Sequence, residues 1–142
     1  MVLSFARYRW ATLRGRIDEV NTAVKTLREG GNVKYQEHIG GAHYISVTSG
    51  YKCVDIRKFY QPDDSKDGQI KPTRTGVALR LDEWATLCLL VDSIQAAFPP
   101  LASALPCYLG DDHNNQMGYF TCSECNPFHF LELFQASMDS TV

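Results

Sequence analysis

Residues 44–60 read Tyr44-Ile45-Ser46-Val47-Thr48-Ser49-Gly50-Tyr51-Lys52-Cys53-Val54-Asp55-Ile56-Arg57-Lys58-Phe59-Tyr60, and this stretch decides the fold. Ile45 and Val47 alternate with Tyr44, Ser46 and Thr48; Val54 and Ile56 alternate with Cys53, Asp55, Arg57 and Phe59. A period of two rich in β-branched residues sends one set of side chains into a core and the other outward, which is the pattern of half-buried strands. Ser49-Gly50 is the turn between them, because glycine reaches backbone angles other residues avoid.

Towards the C-terminus, Pro62-Asp63-Asp64 and Asp67-Gly68 break the second run. Residues 69–81 supply a further strand or a bent pair, with Val77, Leu79 and Leu81 pointing one way. The region reads as a curved antiparallel sheet. Asp82 is a suitable N-cap, and Trp84, Leu87, Cys88, Val91 and Ile94 follow at helical spacing until Pro99-Pro100 forbids continuation. Leu89 and Leu90 widen the apolar surface beyond one stripe, which favours a dimer seam on this helix. Towards the N-terminus, Leu13, Ile17, Val20, Val24 and Leu27 share one face of a helix over residues 11–29, ended by Gly30-Gly31-Asn32. The expected division is a basic helical arm (1–34), a sheet-and-helix domain (35–98) and a C-terminal extension (99–142) with no assignable fold. The class is α+β.

The net charge of the 142 residues is only −2. It is unevenly spread: residues 1–34 hold seven Lys/Arg against three Asp/Glu, residues 35–98 seven against eight, and residues 99–142 none against five. A basic beginning and an acidic end fit a polyanion that meets the first part, and equally fit two solvated surfaces. Arg7, Arg9, Arg14, Arg16, Lys25 and Arg28 decorate the arm as candidate phosphate contacts. No run approaches the roughly 20 apolar residues that span a bilayer, and Met1-Val2-Leu3-Ser4-Phe5-Ala6-Arg7 lacks the order of a signal peptide, so no membrane partner is expected. Five cysteines without a secretion signal predict reduced thiols rather than a disulfide framework.

Aromatic and basic residues interleave along the sheet: Tyr44, Tyr51-Lys52, Arg57-Lys58-Phe59-Tyr60 and Lys71-Pro72-Thr73-Arg74-Thr75-Gly76. Cations track a nucleic-acid backbone while aromatic faces stack unpaired bases, at roughly 1–3 kcal/mol per base. A duplex does not expose those faces. Ile39-Gly40, Tyr44-Ile45-Ser46-Val47, Val54-Asp55-Ile56-Arg57-Lys58-Phe59-Tyr60, Lys71-Pro72-x-Arg74-x-Gly76-Val77-Ala78-Leu79 and Trp84 stand in an order and spacing that resembles the positive cofactor four family of RNA polymerase II transcriptional coactivators. The resemblance covers about residues 35–98. It implies a four-stranded antiparallel sheet followed by one helix, dimerised so that paired sheets form grooves for single-stranded DNA. It also implies non-enzymatic action in the nucleus (in the cytoplasm if the chain is viral or prokaryotic), with transcription-machinery proteins as further partners.

By position, Arg57, Tyr60, Lys71 and Arg74 match family residues lining the DNA path, and Tyr51 and Lys52 are what remains of an aromatic-plus-lysine turn that is shorter here. Trp84, with Leu87, Val91 and Ile94 after it, marks the helix that the resemblance places at the dimer seam. Thr48 and Thr75 stand where family members often carry a basic residue, which lowers the charge offered to phosphates.

Cys122-x-x-Cys125 is half a zinc knuckle that Cys107, His113 or His129 would complete. Ordinary packed or exposed thiols are the simpler expectation for such a pair, so no cofactor is expected, with zinc as the alternative. Asp111-Asp112-His113 reads as a solvated turn. No phosphate-cradling glycine loop, nucleophile elbow or pair of catalytic carboxylates is present, and an enzyme is not expected. The competing functional reading is a protein-interaction module of the same fold, using the helix, the extension and Tyr119-Phe120 with Phe128-Phe130.

Overall fold

A computed structural model of the chain describes residues 7–63, 68–109, 113 and 121–128. Asp111, Asp112, Tyr119, Phe120, His129 and Phe130 lie outside the described residues. The elements are α1 (Arg7–Arg28), β1 (Lys34–Gly40), β2 (His43–Thr48), β3 (Cys53–Tyr60), β4 (Lys71–Arg80), α2 (Leu81–Ala97), α3 (Pro99–Ala102) and a short 3-10 turn (Cys107–Leu109). The four strands form one antiparallel meander in sequence order, the α+β sheet expected, and β4 is a single strand rather than a bent pair. Among the described residues no helix is long and apolar enough to cross a membrane.

Strand alternation builds the core. Ile45 and Val47 of β2 and Val54 and Ile56 of β3 are buried on one face, with Ile39 of β1. Leu13, Val20, Ala23 and Val24 of α1 and Trp84 of α2 close over them in one cluster. The arm is therefore part of the core, because its apolar stripe needs the sheet to bury it. Helix α1 stops where foreseen: Gly30 takes φ 80°, Gly31 N donates to Thr26 O at 3.0 Å and Gly30 N to Leu27 O at 3.1 Å, a glycine-ended Schellman cap.

Helix α2 begins two residues earlier than expected. Arg80 occupies the N-cap position, and its backbone N–H donates to Glu83 Oε1 at 2.9 Å; Asp82, the expected cap, lies in the first turn, where its charge still favours the positive end of the helix. Trp84 is 2% exposed, and its Nε1 donates to Asn21 Oδ1 of α1 at 2.8 Å. Val91 is also buried, and Leu87 and Ile94 are half-buried. The apolar surface that α2 leaves open is that of Leu89, 83% exposed, with Leu90 and, beyond the helix, Phe98.

Candidate nucleic-acid interface

The face of the sheet opposite the core carries Gln36 of β1, Ser46 and Thr48 of β2, Cys53, Asp55, Arg57 and Phe59 of β3, and Pro72 and Ala78 of β4. With Tyr51 they line a groove of about 430 Å³. Beside it, meeting it at Phe59, runs an aromatic row set by register: His38 lies opposite Tyr44, their rings 5.1 Å apart, and Tyr44 meets Phe59 edge-on at the same centroid distance. Such cross-strand contacts stabilise the sheet and give its open face a row of mutually tilted rings. Burial raises the Tyr44 hydroxyl above its ordinary value and pushes the Cys53 thiol up, helped by the Asp55 carboxylate. His38 is the member of this row that sequence reasoning missed; its signal, opposition to Tyr44, needs the register of the β1–β2 turn.

Arg57 lies in the groove, but its guanidinium already has partners. Its Nη2 and Nε donate to Asp55 at 3.1–3.3 Å and its Nη1 to Thr73 O at 3.0 Å. Two residues apart on one strand, Arg57 and Asp55 share a face, so the pair neutralises the groove's central charge.

β4 supplies the opposite wall through Pro72 and Ala78, and it comes this close for a steric reason. A Cβ on Gly76 would sit 2.6 Å from Ile56 O and 2.7 Å from Arg57 Cα, so only glycine lets β4 approach β3 here. The register then slips: Arg57 opposes Gly76 while Phe59 opposes Pro72. Thr73 secures the slip, its hydroxyl donating to Lys58 O at 2.8 Å and accepting from Thr75 N at 3.2 Å. A bulge of this kind re-aims side chains, and Arg74 stands exposed at its crest.

The candidates are therefore spread along β3 rather than gathered at one point. Tyr51 is 68% exposed and enters the groove with Arg57. Lys52 is exposed in the same turn, which is tight: Gly50 takes φ 94° and Tyr51 N donates to Thr48 O at 3.2 Å. At the far end, about 23 Å along the strand, Tyr60 pairs with Lys71, both exposed; alternation puts them on the side away from Arg57 and Phe59. In the arm, Arg9, Arg14 and Arg16 are used internally. Arg9 pairs with Glu124, Arg14 donates to Gln95 Oε1 at 2.6 Å and to the carbonyls of Leu101 and Ala104, and Arg16 meets Glu19 and Glu37. Lys25 and Arg28 are exposed at the end of α1.

Residues 45–90 match the family model described as Transcriptional Coactivator p15 (PC4). The match opens in β2 and closes in α2, taking in the groove's lining apart from Gln36, the bulge and Trp84, while α1, β1 and the C-terminal extension lie outside it. The PC4 family is a coactivator and DNA-binding family, non-enzymatic in its action. No curated protein and no solved structure matches the chain.

A second constellation lies beyond the PC4 segment. Cys107, His113, Cys122 and Cys125 each offer one ligand atom, and the four atoms lie within 4.8 Å of one another. Burial raises the Cys107 and Cys125 thiols. Burial also pushes Cys122 up, but backbone N–H groups of Cys125 and Glu124 donate to its sulfur and hold it below its ordinary value.

Proposed function

We propose that this protein binds single-stranded DNA without catalysing a reaction, as a transcription coactivator of the PC4 type acting in the nucleus. The observation that carries the reading is the open sheet face, a groove in which Tyr51, Arg57 and Phe59 lie within the segment that matches the family, with Tyr44 edge-on against Phe59 just beside it. A single strand follows β3: it stacks on Tyr51 beside Lys52, passes Arg57, and leaves over the β3–β4 end, where Arg74, Lys71 and Tyr60 meet it. Stacking supplies sequence-tolerant affinity and the cations supply counterion release.

The unit is a homodimer joined through the exposed part of α2 around Leu89 and Leu90, with Trp84, Leu87, Val91 and Ile94 bracing the helix from behind. Proteins of the transcription machinery are its further partners. A protein-interaction role for the same fold predicts instead that the groove cations are dispensable.

Fluorescence anisotropy with an unstructured oligonucleotide and a matched duplex tests the reading. Tighter, salt-sensitive binding of the single strand is expected; equal affinity for both, or no binding at ~50 mM salt, overturns it. Replacing Arg57, Lys71 and Arg74 together by alanine should abolish binding and cellular function. Retained function would favour the interaction module.

A further inference from the structure

We propose that Cys107, His113, Cys122 and Cys125 are the four ligands of a structural zinc ion, and that this ion fastens the C-terminal extension to the β1–β2 turn. The matched family segment ends before the first of these residues, so the site is an addition of this chain to the fold.

The geometry is that of a collapsed tetrahedron. Zinc–sulfur bonds of about 2.3 Å and zinc–nitrogen bonds of about 2.0 Å put tetrahedral sulfurs about 3.8 Å apart, and a sulfur and a nitrogen about 3.5 Å apart. The Cys107 and Cys122 sulfurs are 3.7 Å apart, and Cys107 Sγ lies 3.8 Å from His113 Nε2. The closest pair, His113 Nε2 and Cys125 Sγ at 3.0 Å, needs to open by about 0.5 Å to admit the ion. The cysteines are free thiols, and 3.7 Å is far beyond a disulfide bond of about 2.05 Å.

The donor set selects the metal. Three thiolates and one imidazole are soft and borderline ligands that suit zinc over magnesium or calcium, and four protein ligands close the coordination sphere, which makes the site structural. The local turn is already shaped for it: Asn126 N donates to Cys122 O at 2.8 Å, folding the Cys-x-x-Cys loop, while the amides of Glu124 and Cys125 point at the Cys122 sulfur. Amide donors of this kind orient a thiolate ligand.

Glu124 links the ion to the rest of the fold. It lies within the Cys-x-x-Cys loop, its carbonyl accepts from Gly41 N at 2.8 Å, and its carboxylate holds Arg9 of α1. Fixing the loop by metal therefore fixes a clamp on the start of α1 and on the β1–β2 turn. Residues with so little secondary structure of their own gain their order from the ligand, as small metal units do.

The test uses the full chain purified without chelator. Plasma mass spectrometry is expected to find about one zinc per chain, and cobalt exchanged into the site is expected to show tetrahedral visible bands with thiolate charge-transfer absorption. Chelation is expected to speed amide exchange at Gly41 and to expose residues 107–128 to protease, while the circular dichroism of the sheet and helices persists. Cys122→Ser with Cys125→Ser should lose the ion. If that variant fails to fold, the cobalt spectrum of the unaltered chain decides. Less than about 0.2 zinc per chain, a cobalt spectrum without thiolate bands, or a disulfide among these cysteines in freshly prepared protein overturns the proposal.

Discussion

Arg9 and Glu124, 115 positions apart in sequence, hold each other in a two-pronged ion pair, Nε to Oε1 at 2.6 Å and Nη2 to Oε2 at 2.9 Å. Their side chains are only 17% and 13% exposed, so the contact is sheltered and its loss leaves a partner charge in a poorly solvated place. Glu124→Ala is expected to cost about 2 kcal/mol by chemical denaturation, and to release the C-terminal extension to protease while zinc remains bound. A double-mutant cycle with Arg9→Ala separates the pair's coupling from the individual losses. Additive single effects would show that the pair does not clamp the extension.

Gly76 tests the β3–β4 approach. Gly76→Ala should destabilise the fold by about 2 kcal/mol, because the added methyl meets the Ile56 carbonyl and the Arg57 backbone rather than a yielding side chain. It should also shift the amide resonances of Thr73 and Arg74, since the bulge depends on that approach. A stability change under about 0.5 kcal/mol would mean that the strands can part without loss.

The groove's charge balance is adjustable at a single carboxylate. Asp55→Asn removes the acid that holds Arg57, so single-stranded DNA should bind more tightly, with a salt slope steeper by about 0.7. Lys71→Ala with Arg74→Ala should flatten the slope by about 1.4. Titrations at several salt concentrations measure both changes, and an unaltered slope in Asp55→Asn would place the phosphates away from Arg57.

Acid should loosen the β1–β2 turn. Burial holds the His38 imidazole below its usual 6.5, with Arg9 and His43 acting in the same direction and Glu124 opposing them; burial and Arg9 do the same to His43, against the backbone carbonyls of Gly40 and Gly41. His38 Nε2 accepts from Ala42 N at 3.2 Å, a bond that a proton on that nitrogen removes. With folded values depressed, the unfolded chain takes up protons first, so the contribution is whole above about pH 6.5 and is lost as pH falls below it. Denaturation midpoints measured between pH 7.5 and 5 should fall, and His38→Gln should blunt the fall.

Leu89 reads out self-association. Leu89→Glu should convert the proposed dimer to a monomer in sedimentation equilibrium without changing the unfolding midpoint of the monomer, because this side chain stands outside the chain's own core. Trp84→Ala, by contrast, should cost about 4 kcal/mol as a buried truncation. Wild-type protein that sediments as a monomer would dispose of the dimer.

Alternation at Ile45, Val47, Val54 and Ile56 and the three-four spacing of Leu13, Val20 and Val24 were legible because one buried face imposes a fixed period on the sequence. Gly76 was legible as a bend, but its reason lies in the distance to another strand. The charged residues were the least legible. Arg14 and Arg9 looked available to phosphates, and each is held by residues that composition cannot place beside it, whereas Arg57 is held by Asp55 from its own strand, a pairing that the two-residue spacing already offered.

The sequence by itself determined the α+β class, the strand and helix faces and the PC4 segment, since periodicity and local motifs are properties of neighbouring residues. Only the tertiary structure decided that α1 belongs to the core, that Trp84 is spent inside the chain, that Arg57 also holds the Thr73 carbonyl of β4, and that Cys107, His113, Cys122 and Cys125 converge. Those facts depend on register and chain crossing between residues far apart in sequence, and they arise when separate apolar faces are buried together.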